Sequence, residues 1–182
     1  IVDLDNSFKV FTTGNTEISA KCIFIAAGNG AFGPNKPPIK NIEKFENKSV
    51  FYSIKNKSIF DNKTIAIAGG GDSAVDWAIE LSKNARKVFF IHRRQNLRAS
   101  PKNVDILKSL QKKNVEFVIP FQLDSINGKD GKITELTLKD LDNNNKRINT
   151  DFFLPFFGLS NDLGPIKSWE LEIEKNILKV DQ

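Results

Sequence analysis

Three consecutive glycines lie in the part of the sequence that most strongly suggests a binding site. The run from Gly69 to Gly71 continues into Asp72-Ser73-Ala74 and reads G-x-G-x-x-A. A short apolar run precedes it, and a helical apolar periodicity from Ser73 to Ser82 follows it. In such a strand–turn–helix, the first glycine makes the turn, the third lets a pyrophosphate approach the helix N-terminus, and the small last residue lets the helix pack closely. The sequence therefore predicts a dinucleotide site at Gly69, Gly70, Gly71, Asp72, Ser73 and Ala74.

A basic cluster follows the next predicted strand, Lys87 to Ile91. The strand runs into His92-Arg93-Arg94, and no Asp or Glu occurs from Leu81 to Val104. A site for NAD places an acidic residue here, on the ribose 2′-hydroxyl, whereas guanidinium groups bind a 2′-phosphate in a bidentate manner. Two such contacts favour NADPH over NADH by about 100-fold. We therefore expect the 2′-phosphate to be bound by Arg93, Arg94 and Arg98, with His92 as a packing or adenosine-side residue.

Two other patterns imitate functional motifs but lack the surroundings that those motifs need. Gly28 to Gly33 reads G-x-G-x-x-G, yet three prolines follow within five residues, and proline cannot supply the free N–H groups of a helix start. We interpret this segment as a loop or linker. Gly71 to Val75 resembles a nucleophile elbow, but its final glycine is missing and its only possible base is His92. A hydrolase is therefore disfavoured.

The composition excludes several classes of protein. Hydrophobic residues make up 40% of the 182, enough to bury a core, and no apolar run approaches the roughly 20 residues of a membrane span. One cysteine and one histidine exclude an internal disulfide and a zinc site. Seven Lys and Arg fall between Leu81 and Val104, more than the whole net charge of +5, so the basic character is local. We expect a cytoplasmic protein, and the absence of Met with Ile1 first indicates a piece of a longer chain.

The order of the predicted elements indicates the fold class. A helix from Pro101 and a third strand, Val115 to Ile119, follow the strand–turn–helix–strand unit. Residues 122–150 predict antiparallel strands joined by polar turns, and Asp151 to Phe157 predicts one more apolar strand. We expect an α/β fold of the FAD/NAD(P)-binding three-layer type, with a Rossmann-like parallel sheet, flanking helices and an antiparallel β-meander.

The amino-terminal part is predicted to contain strands as well. Alternation from Ser7 to Thr12, followed by Gly14-Asn15 and a short return strand, predicts a hairpin. Cys22 to Ala26 predicts an apolar strand with a buried, inert thiol.

Three motifs together resemble one known family. They are Ala26 to Pro34, Gly69 to Ala78 and His92 to Ala99. These motifs are similar to those of the thioredoxin-reductase-like flavoproteins, and most of all to those of the bacterial ferredoxin–NADP⁺ reductases of that type. The resemblance covers essentially the whole chain.

The resemblance implies a flavoprotein with an NADPH domain inserted into an FAD domain. In such enzymes NADPH passes a hydride to FAD, the reduced flavin passes electrons to ferredoxin or flavodoxin, and the parent is a homodimer. Residues 1–34 then correspond to the end of the first FAD segment, 35–155 to the NADPH domain, and 156–182 to the start of the second FAD segment. Because the FAD site is incomplete, we expect this chain to bind NADPH without turnover.

The sequence also departs from this family's disulfide-reducing members. Thioredoxin reductases carry a C-x-x-C pair in the inserted domain, whereas no cysteine occurs between Asn41 and Ala68, which disfavours disulfide reduction. Two alternatives stay open. One is the NADPH domain of another flavoprotein of this architecture, such as an oxidase or a disulfide-reductase homologue without cysteines, and the other is a non-catalytic NADPH-binding module. A nucleic-acid binder is disfavoured because the cations cluster at one strand end.

Overall fold

The computed structural model describes residues 1–4, 6–26, 31–174 and 177–180. The chain divides into two compact units, a larger one of residues 34–158 and a smaller one of residues 1–33 together with 159–182. Both segments predicted to bind a nucleotide lie in the larger unit.

The smaller unit begins with an antiparallel sheet. The turn between its second and third strands contains Gly14 and Asn15, and Asn15 has a φ of 57°. The Thr12 N–H closes this turn by donating to the Thr16 carbonyl at 3.0 Å. The predicted hairpin is therefore confirmed. The strands pair in the order β1 (Val2–Leu4), β2 (Ser7–Phe11) and β3 (Glu17–Ala20).

The predicted apolar strand from Cys22 to Ala26 is wrong. The structure has no strand there, the Cys22 thiol is exposed, and Phe24 is 90% exposed. An apolar run forms a buried strand only where a neighbouring strand pairs with it and side chains cover it. No described residue of this chain pairs with this segment as a strand.

The first glycine motif does not lead into a helix. Its last residues belong to strand β4 (Ala31–Pro34), while residues 27–30 lie outside the described part of the chain. A strand cannot present the row of free N–H groups that begins a helix. The rejection of this motif as a dinucleotide turn therefore agrees with the described part of the segment.

The larger unit is built on two successive β-α-β units. They comprise strand β5 (Thr64–Ala68), helix α1 (Asp72–Leu81), strand β6 (Lys87–Ile91), helix α2 (Pro101–Ser109) and strand β7 (Val115–Val118). All five residues of β5 are buried. The register of β5 and β6 runs from Thr64 opposite Lys87 to Ala68 opposite Ile91. Because the two parallel strands end together, the segments that follow them leave the sheet side by side.

The other strands of this unit complete three layers. Strands β8 (Gln122–Lys129), β9 (Lys132–Lys139) and β10 (Asn145–Asn149) form the predicted antiparallel meander, and β11 (Phe152–Pro155) returns beside β5. The parallel sheet has the order β11-β5-β6-β7. Successive side chains of a strand point to opposite faces, so Ile65 and Ile67 pack with α1 whereas Ala66 and Ala68 pack with the meander. The predicted fold class is confirmed.

The remaining elements are short. Strand β12 (Leu159–Asp162) pairs with β4, and β13 (Ile173–Glu174) pairs with β14 (Ile177–Leu178). Turns of 3-10 helix occur at Ile42–Lys44, Ser58–Phe60, Leu110–Lys112 and Gly164–Ser168. Within the described ranges, no helix has the length and apolar content that crossing a membrane requires.

Candidate functional site

The glycine turn, residues 69–71, is narrow because two other elements approach it. Gly69 has a φ of 154°, and a Cβ on it would lie 2.6 Å from the Phe156 carbonyl oxygen and 2.8 Å from the Ala74 Cβ. Its own N–H donates to the Ile91 carbonyl at 3.0 Å. Ala74 is itself buried, as the predicted close packing of the helix requires. Glycine at position 69 and a small residue at 74 are therefore dictated by the protein's own packing.

The start of α1 offers a row of free hydrogen-bond donors. Gly71 is the N-cap residue, and no side chain in the described part of the chain caps the helix. The backbone N–H groups of Gly70, Gly71, Asp72 and Ser73 donate to no other described residue. A Cβ on Gly71 would have no atom within 4 Å, so space is open in front of these donors. Free N–H groups at the positive end of a helix form a site for an anion.

Gly70 is held against the single histidine. A Cβ on Gly70 would lie 2.5 Å from His92 Nε2 and 2.7 Å from Nδ1, so the ring occupies the space that a side chain would need. Nε2 is buried and has no hydrogen-bond partner among the described residues. Burial lowers the pKa of His92, and the nearby Arg93, Arg98 and Arg94 charges lower it further, against a hydrogen bond with the Asn96 backbone that raises it. The imidazole is therefore neutral at neutral pH and packs under the turn.

The three predicted arginines have exposed side chains. Arg93, Arg94 and Arg98 follow the carboxyl end of β6 in the arginine loop, residues 92–98. None of their guanidinium groups forms an ion pair or a side-chain hydrogen bond with any residue that the structure describes. A guanidinium that no carboxylate occupies keeps its donors available for an anionic ligand.

Three other cations of the basic segment between Leu81 and Val104 are paired. Lys83 contacts Glu80, and Lys87 lies 2.7 Å from a carboxylate oxygen of Glu116. Arg86 lies 3.6 Å from Asp151 and donates to Thr64 Oγ1 at 2.9 Å. A hydrogen bond from Lys57, together with one from Lys83, lowers the pKa of Glu80 to about 2. The structure thus separates structural cations at the amino end of β6 from unpaired arginines at its carboxyl end.

Hydrogen bonds join the arginine loop to the glycine turn. The Arg98 N–H donates to the Gly70 carbonyl at 2.7 Å, and the Ser100 N–H donates to Asp72 Oδ1 at 2.8 Å. Asp72 was predicted as part of the nucleotide site, but its carboxylate accepts a hydrogen bond from Ser100. The group of Asp72 that is available to a ligand is therefore its backbone N–H. The exposed side chain of Ser73 makes no hydrogen bond to the described residues.

A pocket of about 230 Å³ beside Arg93 and Arg94 contains residues that the sequence reasoning missed. Its wall includes Gln122 of β8 and Lys139 of β9. Lys139 adds another positive charge to the pocket. Its local sequence does not indicate this position, because the fold of the meander brings Lys139 close to Arg93 and Arg94. Asp140 also lines the pocket, but its carboxylate accepts hydrogen bonds from Asn144 and the Asp142 N–H, which lower its pKa.

The family of the chain follows from its whole length. A model of the family described as pyridine nucleotide-disulphide oxidoreductase matches residues 1–182. The chain belongs to this family.

Among the residues that the structure describes, no group of three or more His, Cys, Asp or Glu side chains is placed to hold a metal ion.

Curated relatives are similar along nearly all of the chain. A ferredoxin–NADP reductase from Wolbachia sp. subsp. Brugia malayi is 48% identical over 178 residues, which cover 97% of this chain and 52% of that protein. A ferredoxin–NADP reductase from Rickettsia akari is 48% identical over 175 residues, with 96% and 52% covered. The chain therefore spans about half the length of the curated relatives it matches. The resemblance stated from the three motifs is confirmed.

Solved structures share the fold. The thioredoxin reductase of Lactococcus lactis matches with a TM-score of 0.80 at 24% identity, covering 98% of this chain and 58% of that one. A bacillithiol disulfide reductase from Staphylococcus aureus matches with a TM-score of 0.75 at 21% identity, covering 94% and 51%. At these identities the likeness speaks for the fold alone.

Proposed function

We propose that this chain supplies the NADPH-binding part of a flavin-dependent ferredoxin–NADP⁺ reductase. One observation supports the assignment above all others. Three guanidinium groups that have no partner among the described residues lie in a loop that is hydrogen-bonded to the glycine turn, and the turn and the start of α1 together present four N–H groups that are equally free of described partners. This combination fits a ligand with a pyrophosphate and a further phosphate on its ribose, which is what distinguishes NADPH from NADH.

The residues present fit NADPH in type and placement. In this proposal the N–H groups of residues 70–73 bind the pyrophosphate, and Arg93, Arg94 and Arg98 bind the 2′-phosphate. His92 lies on the adenosine side and holds Gly70 in place. When bound, the nicotinamide supplies a hydride, and the chain's own contribution is to bind and orient the nucleotide. The NADPH domain in this proposal comprises residues 35–155.

The flavin and the electron acceptor belong to the whole protein. The relatives named ferredoxin–NADP reductase support FAD as the hydride acceptor and ferredoxin or flavodoxin as the partner. The described residues of the first glycine motif enter β4, which does not fit a pyrophosphate turn, so the described part of this motif does not supply a pyrophosphate site for FAD. We propose that residues 1–34 and 156–182 belong to the flavin domain of a cytoplasmic homodimer.

Calorimetry tests the nucleotide assignment. We expect the intact protein to bind NADPH about 100-fold more tightly than NADH, because two charge-assisted contacts to the 2′-phosphate are absent with NADH. The preference should shrink as salt is raised, since exposed charges are screened. Similar affinities at low salt would contradict the proposal.

Steady-state kinetics test the acceptor. With NADPH as donor, we expect the whole flavoprotein, with its FAD site complete, to reduce ferredoxin or flavodoxin much faster than oxygen or a disulfide substrate. Rapid oxygen consumption would indicate an oxidase instead. Rapid disulfide reduction would contradict the interpretation based on the missing cysteine pair, and binding of NADPH without any transfer would indicate a non-catalytic module.

A further inference from the structure

One hydrogen bond joins the arginine loop to the glycine turn, and a second, made by a side chain, joins the residues that follow each of them. The Arg98 N–H and the Gly70 carbonyl are both backbone groups, and they are 2.7 Å apart. The other bond, 2.8 Å long, runs from the Ser100 N–H to the carboxylate of Asp72 in the first turn of α1. Because this bond needs a side-chain oxygen as its acceptor, it depends on the amino acid at position 72.

This hydrogen bond replaces a local cap of α2. Ser100 is the N-cap residue of α2, and its own side chain makes no capping hydrogen bond. In a capping box, the third residue of the helix reaches back to the N-cap N–H. Here that residue is Asn103, and its side chain donates to Asp76 at 2.8 Å instead. Asp72, from the neighbouring helix, satisfies the Ser100 N–H in its place.

The tip of the arginine loop has little packing to hold it, whereas Leu97 at its base packs partly against the core. Residues 93–96 are exposed, and a cavity of about 560 Å³ lies beside the loop, lined in part by Leu97, Val104 and Phe117. An exposed loop tip with open space beside it is held in part by the hydrogen bonds at the base of the loop. The position of the guanidinium groups relative to the turn therefore depends on these bonds.

The charge of Asp72 is otherwise unfavourable for the proposed ligand. A carboxylate beside a turn that receives a pyrophosphate repels that group. The positive end of α1 offsets part of this repulsion, but the same helix start would favour the phosphates more without a competing anion. A carboxylate in the first turn of α1 also stabilises the start of the helix, and its hydrogen bond to the Ser100 N–H gives the same side chain a second role.

We propose that Asp72 is a positioning residue that fixes the distance between the pyrophosphate turn and the arginines for the 2′-phosphate. The inference rests on the proposed function, since it assigns a role in discriminating NADPH from NADH. Asp72 acts through the Ser100 N–H, which anchors the carboxyl end of the arginine loop. Asp72 therefore strengthens the binding of the 2′-phosphate and has little effect on the binding of the rest of the nucleotide.

Calorimetry with 2′,5′-ADP and AMP isolates this effect, because these two ligands differ in the 2′-phosphate and need no flavin. In the intact protein, we expect Asp72→Ala to lower the affinity ratio of 2′,5′-ADP to AMP about five- to tenfold, as loss of one hydrogen bond predicts. Asp72→Asn keeps an acceptor oxygen and should retain the ratio within about twofold. The matched control is Asp76→Ala, which removes another exposed carboxylate and an α1–α2 hydrogen bond but does not touch the loop.

Substituting the donor gives an independent variant. Ser100→Pro removes the N–H while leaving α1 intact, and Ser100 has a φ of −50°, close to the value that proline requires. It should lower the ratio as Asp72→Ala does, with a thermal unfolding curve confirming that each variant is folded. A ratio that stays at the wild-type value in both variants overturns the inference and leaves the proposed function standing. An equal loss in Asp72→Asn and Asp72→Ala also overturns it, because charge and not the bond would then be responsible. A wild-type ratio near one would overturn the proposed function and the inference together.

Discussion

Strand β6 has positively charged residues at both ends, and the two ends use them differently. At the amino end, Lys87 pairs with Glu116, and Arg86 contacts Asp151 and Thr64. At the carboxyl end, Arg93 and Arg94 have no partner among the described residues. The basic segment contains no acid of its own, so every pairing at the amino end comes from elsewhere in the chain.

The difference shows that the partners of a charge identify a binding site better than the number of charges does. A cation paired with a carboxylate has its donors occupied and contributes to the fold. A cation left unpaired at an exposed position contributes little to stability and is available to a ligand. The free N–H groups at the glycine turn belong to the same end of the sheet, so unused donors of two kinds lie near each other.

The largest expected effect removes the unpaired charges. Replacing Arg93 and Arg94 together by Ala should lower the preference for NADPH over NADH about 100-fold, or about 2.7 kcal/mol, because two contacts to the 2′-phosphate are lost. Titrating both nucleotides by calorimetry measures this. The matched control, Lys83→Ala with Lys87→Ala, removes as much charge from the paired end and should change the preference less than about twofold. If both double variants lost the NADPH preference equally, the two ends of β6 would not differ in nucleotide binding as proposed.

A second prediction compares two glycines of the turn, one required by the packing of the protein and one facing open space. Gly69→Ala should lower the free energy of unfolding by about 2 kcal/mol, because the new Cβ collides with the Phe156 carbonyl and with Ala74. Gly71→Ala meets open space and should leave the unfolding free energy unchanged, while weakening NADPH binding about tenfold. Denaturant unfolding and calorimetry on both variants check this. Equal stability of the two variants would show that the turn is not constrained as described.

A third prediction concerns stability at the paired end. Arg86→Ala should lower the free energy of unfolding by up to about 1 kcal/mol, because it removes the hydrogen bonds to Thr64 and the contact with Asp151. Arg94→Ala should leave the unfolding free energy within experimental error. Urea unfolding curves of the two variants decide the matter, and a larger loss in Arg94→Ala would reverse the assignment of the two ends.

The smallest expected effect is a pH dependence at the unpaired end. Burial and the neighbouring arginines lower the pKa of His92 from 6.5, so the unfolded chain takes up a proton first as the pH falls. The free energy of unfolding should therefore decrease between about pH 7.5 and pH 5.5. His92 is the chain's only histidine, and the carboxyl groups titrate at lower pH, so His92→Gln should flatten this part of the profile. A profile that is unchanged in the variant would contradict the packing described for His92.

The sequence predicted the parts of the fold that local patterns determine. Three glycines separate the short apolar run of β5 from α1. For this reason the helix α1 was predicted within one residue of its observed bounds, Asp72–Leu81. The error at Cys22 to Ala26 arose because an apolar pattern does not show whether another strand is present to pair with it. Whether a strand forms is decided by contacts distant in sequence.

The candidate site shows the same division. Turn and arginine positions could be predicted because the mechanism of phosphate binding prescribes their spacing. The packing of His92 on Gly70, the bond from Ser100 to Asp72 and the position of Lys139 could not, because each depends on how separate elements meet. Equally, no local signal distinguishes Lys87 from Arg93, since their partners are set by the tertiary structure.

The central claim, that the unpaired guanidinium groups hold a 2′-phosphate, is tested most directly by phosphorus NMR of 2′,5′-ADP bound to the intact protein. A free phosphate monoester has its second pKa at about 6. Guanidinium groups favour the dianion, so the account predicts that the 2′-phosphate resonance titrates well below that pH in the complex and returns toward it in Arg93→Ala. A 2′-phosphate that titrates in the complex as it does in free solution would contradict the account.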